Sequence, residues 1–412
     1  MQASDLCPWP YYFCSQSRCT KQFVKRNKKE FISRDKPKEL VSLRQISKDK
    51  ESMQKSLPSF LAAFFMLFVV AVYGNNKGEE FNVSETIMHH IGDAHEWHLW
   101  GEEEHGTAIY LPVILLDQGL KIFSSSHFYH GTARVLEDSL KPVHYKLGVG
   151  PAQGYALLHE KIYKLHNGEL QFHNGHPTNN MPMDFSITKN VMSLFIGAFL
   201  LLVIMLSVAA YYRKNGAVAP KGLAKFIEPL IVFVRDEIIK PNIHGAKHAR
   251  YINFITTVFF FILINNLLGM IPVFPGGANL TGNISVTLFL AACTLLVTLL
   301  SANKNYWKHI FATPGVPLAL LPIMIPIEIV GIFTKPFALM IRLFANMTAG
   351  HIIVLSLISI IFINKTEAWG FLSVPMALFI SVLEILVAFL QAYLFASLSA
   401  LFIGAAVEED HH

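Results

Sequence analysis

The chain has 412 residues, 52% of them hydrophobic and 12% aromatic, with only 15% charged and a mean hydropathy of +0.40. That is too apolar for an ordinary soluble globule, and several apolar runs reach the roughly 20 residues that cross a bilayer, so composition points to a polytopic membrane protein. The net charge of +5 resides in residues 1–56, which hold 13 Lys/Arg against 6 Asp/Glu, and the near balance elsewhere gives no footing for nucleic-acid binding.

Residues 1–52 read as a basic extension, either a short cytosolic tail or sequence upstream of a true start at Met53. Cys7, Cys14 and Cys19 fit no zinc or redox spacing there, and Cys293 sits in an apolar run, so no disulfide is expected. Residues 53–74, "MQKSLPSFLAAFFMLFVVAVYGNN", have a lysine, an apolar stretch from Leu57 to Val72 and small residues before polar sequence. This is the layout of a signal peptide cleaved near Val72 to Gly74, a retained anchor helix being the alternative.

Residues 75–184 are polar and mixed. "PVILLDQGLKIFSSSHFYHG" and "GYALLHEKIYKLHNGELQFH" alternate over short runs broken by glycine, which predicts a small β-rich domain, periplasmic if the leader is real. Twelve of the 18 histidines lie here. The loose set His90, His95 and His98 beside acidic residues is the weak candidate for zinc or copper. Its spacing repeats no compact ligand pattern, so structural or solvated histidines are the preferred reading and no metal is assigned.

From residue 185 to 412 the sequence predicts an all-α membrane domain of about five transmembrane or tilted helices. Phe185–Tyr212 is one span, closed by Arg213 and Lys214. The basic, amphipathic stretch to Arg250 predicts a helix on the membrane surface, cytoplasmic by the positive-inside rule. Tyr251–Val273 and Ile284–Ser301 are the next spans, with "PGGANLTGN" as an outer turn and "NKNYWKH" cytoplasmic.

Residues 310–364 are apolar for longer than one crossing, and their Asp, Glu, Lys and Arg residues are only Glu328, Lys335 and Arg342. The three recur every seventh residue, so on a helix they form one stripe, which Asn346 joins. In Gly370–Val407 the single charge is Glu384, and Gln391 falls on the same side. Folding the two segments into an antiparallel hairpin about "NKTEAWG" sets Arg342 level with Gln391 and His351 level with Glu384. A permanent guanidinium near a titratable acid and imidazole suits a proton path that must not leak straight through. Satisfied polar residues holding helices together are the plainer alternative, weighed evenly for Glu328 and Lys335.

"RLFANMTAGH", with "EIVGIFTKPFALMI" before it and "LEILVAFLQAYLFASLSALFIG" near the C-terminus, resembles the a subunit of F-type ATP synthases, over roughly Ser186 to Val407. "NNLLGMIP" and "ANLTGNISVTL" resemble its middle helices. The resemblance implies a non-catalytic stator subunit of the bacterial inner (plasma) membrane, working with a c-subunit ring, a b-subunit peripheral stalk and the remaining ATP synthase subunits, with no cofactor. It implies two proton half-channels, with Arg342 facing the ring and Gln391 beside it. His351 and Glu384 line the inlet from outside, and Glu328 lies on the cytoplasmic side of the path with Asn346 near the arginine. Lys335 is a candidate for the membrane surface or the cytoplasmic part of the path, and the C-terminus is expected in the cytoplasm. The N-terminal domain departs from the common bacterial pattern and is similar to an extended variant associated with Bacteroidetes-like bacteria. A self-contained proton-coupled transporter is the competing class, although no internal repeat supports it.

Overall fold

The structure, a computed structural model, describes residues 83–100, 107–131, 133–137, 142–173, 176–216, 218–271, 274–311, 317, 320–364 and 366–408. The basic extension and the leader expected at 53–74 lie outside the described residues.

The polar region folds into short antiparallel sheets behind a helix, α1 (Val83–Ile91). A hairpin pairs β1 (Glu96–Trp100) with β2 (Thr107–Tyr110). A three-stranded sheet runs β11-β3-β4, built from β3 (Pro112–Leu116), β4 (Leu120–Ser124) and the late β11 (Met183–Asp184). After the one-turn helix α2 (Ser126–Tyr129) come β5 (Ala133–Glu137), β6 (Pro142–Leu147), β7 (Tyr155–Leu158) and β8 (Lys161–Lys164), a four-stranded meander in sequence order. The short pair β9 (Phe172–His173) and β10 (His176–Pro177) follows.

Alternation explains the packing. Val113 and Leu115 of β3 are fully buried and join Phe123, Phe128, Tyr155 and Ile162 in one core, whereas Leu116 on the opposite face is exposed. The β7–β8 turn places His159 and Glu160 both at positive φ, 46° and 60°, the conformation of a two-residue type I′ hairpin usually given to Asn or Gly. Glu160 occupies that strained position with its carboxylate in use, as described below.

Phe185 and Ile187 extend the β11 pairing onto Ile114 and Pro112, so the first membrane-length helix, α3 (Lys189–Asn215), starts later than the apolar run does. The basic stretch is helical but interrupted: α4 (Leu223–Phe233) passes into a wider π turn, Val234–Ile239. Val234, Ile238 and Ile239 of that turn are fully buried against α5 (His248–Met270) and the C-terminal helix, so this face packs on protein. α6 (Ile284–Ser301) and the short α7 (Lys304–Phe311) lead to the terminal hairpin.

That hairpin is α8 (Leu321–Asn364, 44 residues) and α9 (Gly370–Val407, 38 residues), joined by a 3-10 turn at Glu367–Trp369. At about 1.5 Å per residue α8 is ~66 Å long, twice a hydrocarbon core of ~30 Å, so it can lie in a bilayer only strongly tilted. Among the described residues five helices, α3, α5, α6, α8 and α9, are long and apolar enough to cross a membrane.

Candidate functional site

Two ends of the helical bundle can be told apart by their hydrogen bonds. At one end the strand-rich region meets the α5–α6 turn, where Trp97 Nε1 donates to the Gly276 carbonyl at 3.2 Å. At the other, Lys247 Nζ and Asn303 Nδ2 each donate to the Val407 carbonyl at 2.9 Å. Polar groups of the hairpin are ordered between these ends.

His351 and Glu384 stand toward the strand-rich end and meet. Nδ1 of His351 lies 2.9 Å from Oε1 of Glu384, each side chain about 10% exposed. The Nδ1 proton is better aligned with the Met347 carbonyl at 3.1 Å, and Nε2 faces the Gly269 carbonyl at 3.3 Å. Oε1 of Glu384 is therefore buried without an aligned donor among the described residues. An imidazole facing oxygens at both nitrogens donates twice when it carries two protons and once when it carries one, beside an acceptor able to take the difference. The hairpin register brings this about, and Ser373 Oγ donating to the Leu357 carbonyl belongs to the same antiparallel alignment.

Glycine permits the approach. A β-carbon on Gly350 would stand 2.7 Å from Oε1 of Glu384, so a larger residue would push the carboxylate away. Behind the pair, Asn266 and Thr281, both buried, are joined at 2.7 Å, and Asn266 reaches the Ala388 carbonyl at 3.3 Å, tying α5, the α5–α6 turn and α9 together. The sequence reading missed Gly350 and Asn266; the neighbouring "TAGH" and "NNLLGMIP" carried the signal, as polar or small residues in membrane-length helices.

Arg342 lies about 13 Å along the α8 axis from His351. Its side chain is exposed on the chain's surface, and no carboxylate among the described residues lies within ion-pair reach of it. Asn346 and Lys335 are exposed too, the latter with its ammonium 5.8 Å from the Phe402 ring centre. Glu328 is half-buried toward the Asn303 end, where its charge, after burial, helps raise the Tyr306 hydroxyl above its ordinary range. Gln391 is buried, 3% exposed.

The histidines of the strand-rich region gather no metal-ligand group: among the described residues no three His, Cys, Asp or Glu side chains do so. His90 is exposed at the end of α1. His95 is buried between two carboxylates, Nδ1 3.7 Å from Glu160 and Nε2 3.5 Å from Asp184, both long ion pairs. Burial lowers its pKa, but the two carboxylates outweigh burial and lift it to about 9. Beside it Lys189, at the start of α3, is buried with Nζ on the His90 carbonyl at 3.1 Å, and Asp93 caps α3 through the Asn190 amide at 3.0 Å.

Five membrane-length helices, with an acid and an imidazole paired inside the last two, define a multi-pass helical membrane protein. The profile of the family described as ATP synthase A chain matches residues 191–404, and the chain belongs to that family. Residues 86–185 match a family described as a domain of unknown function, DUF8433. Similar proteins include ATP synthase subunit a of Chloroherpeton thalassium, 48% identical over 235 residues, covering 56% of this chain and 69% of that protein. ATP synthase subunit a 2 of Prosthecochloris aestuarii is 49% identical over 236 residues, 56% and 71% of the two chains. ATP synthase subunit a of Myxococcus xanthus is 45% identical over 236 residues, 56% and 76%.

Proposed function

We propose that this chain is the stator a subunit of a rotary F-type ATP synthase membrane sector, not catalytic by itself, which passes protons between two half-channels and a ring of c subunits. The observation that carries the reading is the buried His351–Glu384 contact, set along one helix from an exposed Arg342 that has no ion-pair partner among the described residues. Protons enter past His351 and Glu384 and load a c-subunit carboxylate. They leave on the other side when that carboxylate meets Arg342. Glu328, nearer the Asn303 end, serves the exit side, with Lys335 at its margin; Asn346 lies next to the arginine, and Gln391 supports the hairpin behind it.

Arg342 suits its part because a guanidinium keeps its charge at any physiological pH. It cannot relay a proton, yet it attracts the anionic form of a moving carboxylate and so expels the proton it carried. An open guanidinium at membrane depth is costly unless a partner covers it, which is the role given to the c ring. The b-subunit stalk and lipid would cover other exposed apolar faces of α3 and α8.

Orientation in a bacterial inner membrane follows from charge. Lys247, Arg250, Lys304 and Lys308 cluster at the Asn303 end, which the positive-inside rule assigns to the cytoplasm with the C-terminus; the strand-rich region is then periplasmic. One proton crossing ~100 mV gains about 2.3 kcal/mol, so several are needed per ATP and a leak past Arg342 would dissipate them. The test is Arg342→Ala in inverted vesicles: ATP-driven acidification should vanish while the subunit remains assembled. Wild-type pumping by that variant would overturn the reading.

A further inference from the structure

The strand-rich region supplies no group to the proton path just described, yet it grips the turn that supports that path. β1 carries Trp97, 3% exposed, whose indole donates to Gly276 and whose ring meets Phe274 edge-on at 5.2 Å between centroids. The turn folds back on the end of α5: the amides of Ile271 and Gly277 both donate to the Leu268 carbonyl, at 3.1 and 3.4 Å. A β-carbon on Gly276 would come within 2.4 Å of the Ile271 carbonyl oxygen and 2.6 Å of that of Leu268, so the fold is closed tightly on backbone. The neighbouring carbonyl, Gly269, is the one that faces Nε2 of His351. From the far side of the turn, the Gly282 carbonyl accepts from Thr348 at 3.4 Å, one turn of α8 before His351.

We propose that Trp97 is a positioning residue for proton transfer: by holding the Phe274–Gly276 turn it fixes the Gly269 carbonyl and so the orientation of the His351 ring toward Glu384. The inference rests on the reading of His351 and Glu384 as the inlet pair. Its physical basis is that Nδ1 has two acceptors in reach, Met347 O at 3.1 Å and Glu384 Oε1 at 2.9 Å. Which one it addresses depends on ring rotation, and the Nε2 contact is what limits that rotation. Proton transfer needs its donor and acceptor held at about 2.6–3.2 Å, so a ring free to turn exchanges more slowly. On this account the strand-rich region is part of the inlet's support.

The test uses the whole complex in sealed vesicles, with passive proton conduction driven by an imposed potassium gradient, in H₂O and in D₂O. Trp97→Phe keeps an aromatic ring on Phe274 and removes the N–H. Conduction per assembled complex should fall about fivefold, the scale of one hydrogen bond. The solvent deuterium isotope effect should rise, because transfer at the pair becomes the slow step. A loss of assembly or stability alone would leave that isotope effect unchanged. Gly276→Ala displaces the same turn with Trp97 intact and should give the same pair of changes, which keeps the question open to decision if Trp97→Phe does not assemble. Unchanged conduction, a loss with an unchanged isotope effect, or failure of both variants to assemble would each overturn the proposal. His351→Gln separates the two readings: wild-type conduction in it sinks the inlet pair itself, whereas an impaired His351→Gln beside a normal Trp97→Phe sinks only the positioning role.

Discussion

A β-carbon added at Gly350 would stand 2.7 Å from Oε1 of Glu384 and 3.1 Å from its Cδ. The atoms in the way belong to the end of a flexible side chain, so the helices need not part; the carboxylate turns aside. Gly350→Ala should therefore act on function more than on folding. We expect the variant to assemble and, with the pair separated, to conduct protons about a hundredfold more slowly, the lower scale of a lost general acid–base contact. Conduction measured in vesicles at matched subunit abundance checks this, and an unaltered rate would mean that the contact is not on the path.

Arg342 gives a second expectation. Lysine retains the charge, but it replaces a planar fork by a strongly hydrated point charge whose pKa shifts readily on burial. Arg342→Lys should therefore fail to restore coupling, with ATP-driven acidification reduced about tenfold or more relative to the parent, the scale of one lost hydrogen bond to a charged group. Near-normal pumping by the lysine variant would show that charge alone suffices.

The buried His95 makes the strand-rich region pH-sensitive. Its pKa is about 9 in the folded chain against 6.5 for the free side chain, so its pairing stabilises fully below pH 6.5 and is lost as pH rises through 9. At about 1.4 kcal/mol per unit this is ~3 kcal/mol at most. Asp184 is the same pairing seen from the other end and is not counted again: burial raises its pKa, but His95 and Ser186 outweigh that and hold it below its usual value. Its contribution is present above pH 3.8 and lost as pH falls through the lowered value. The region should resist limited proteolysis best between those limits and become more susceptible from pH 6.5 toward 9. His95→Gln should flatten that rise; an unchanged pH profile in His95→Gln would remove the triad as its cause.

Much of this architecture is legible in the sequence, for reasons that differ by element. α6 and α9 occupy the stretches expected from hydropathy because nothing competes for those apolar residues. The contact of His351 with Glu384 follows from an antiparallel hairpin in which residues at equal depth have a nearly constant index sum. α3 begins late because Phe185 and Ile187 are claimed by β3, a long-range pairing that hydropathy cannot register. The stretch around Val234 reads as an amphipathic surface helix, but its apolar face finds α5 and α9. His95 looks like one of a loose histidine set, and its true partners come from positions 160 and 184, invisible to local spacing. Register alone could not foretell that Arg342 is exposed and Gln391 buried, since depth along a hairpin does not fix rotation about each helix.

Gly404 is the counterpart to Gly350, because there the obstacle is backbone. It is buried near the C-terminal end of α9, and a β-carbon would lie 2.0 Å from the carbonyl oxygen of Asn242 and 3.0 Å from its carbon. The Asn242 segment cannot easily yield: its side chain returns to the Ile238 carbonyl at 2.7 Å, and Ile238 and Ile243 are fully buried. Lys247 and Asn303 hold the neighbouring Val407 carbonyl from two further directions. Gly404→Ala must therefore push α9 away from this clamp, at a cost of about 1–3 kcal/mol or more for overpacking. The expected result is a chain that accumulates poorly in the membrane and fails to hold its partners in detergent, measured by abundance and co-purification. Normal abundance with normal conduction would show that the helix shifts freely here, and the clamp would then have no part in fixing the hairpin.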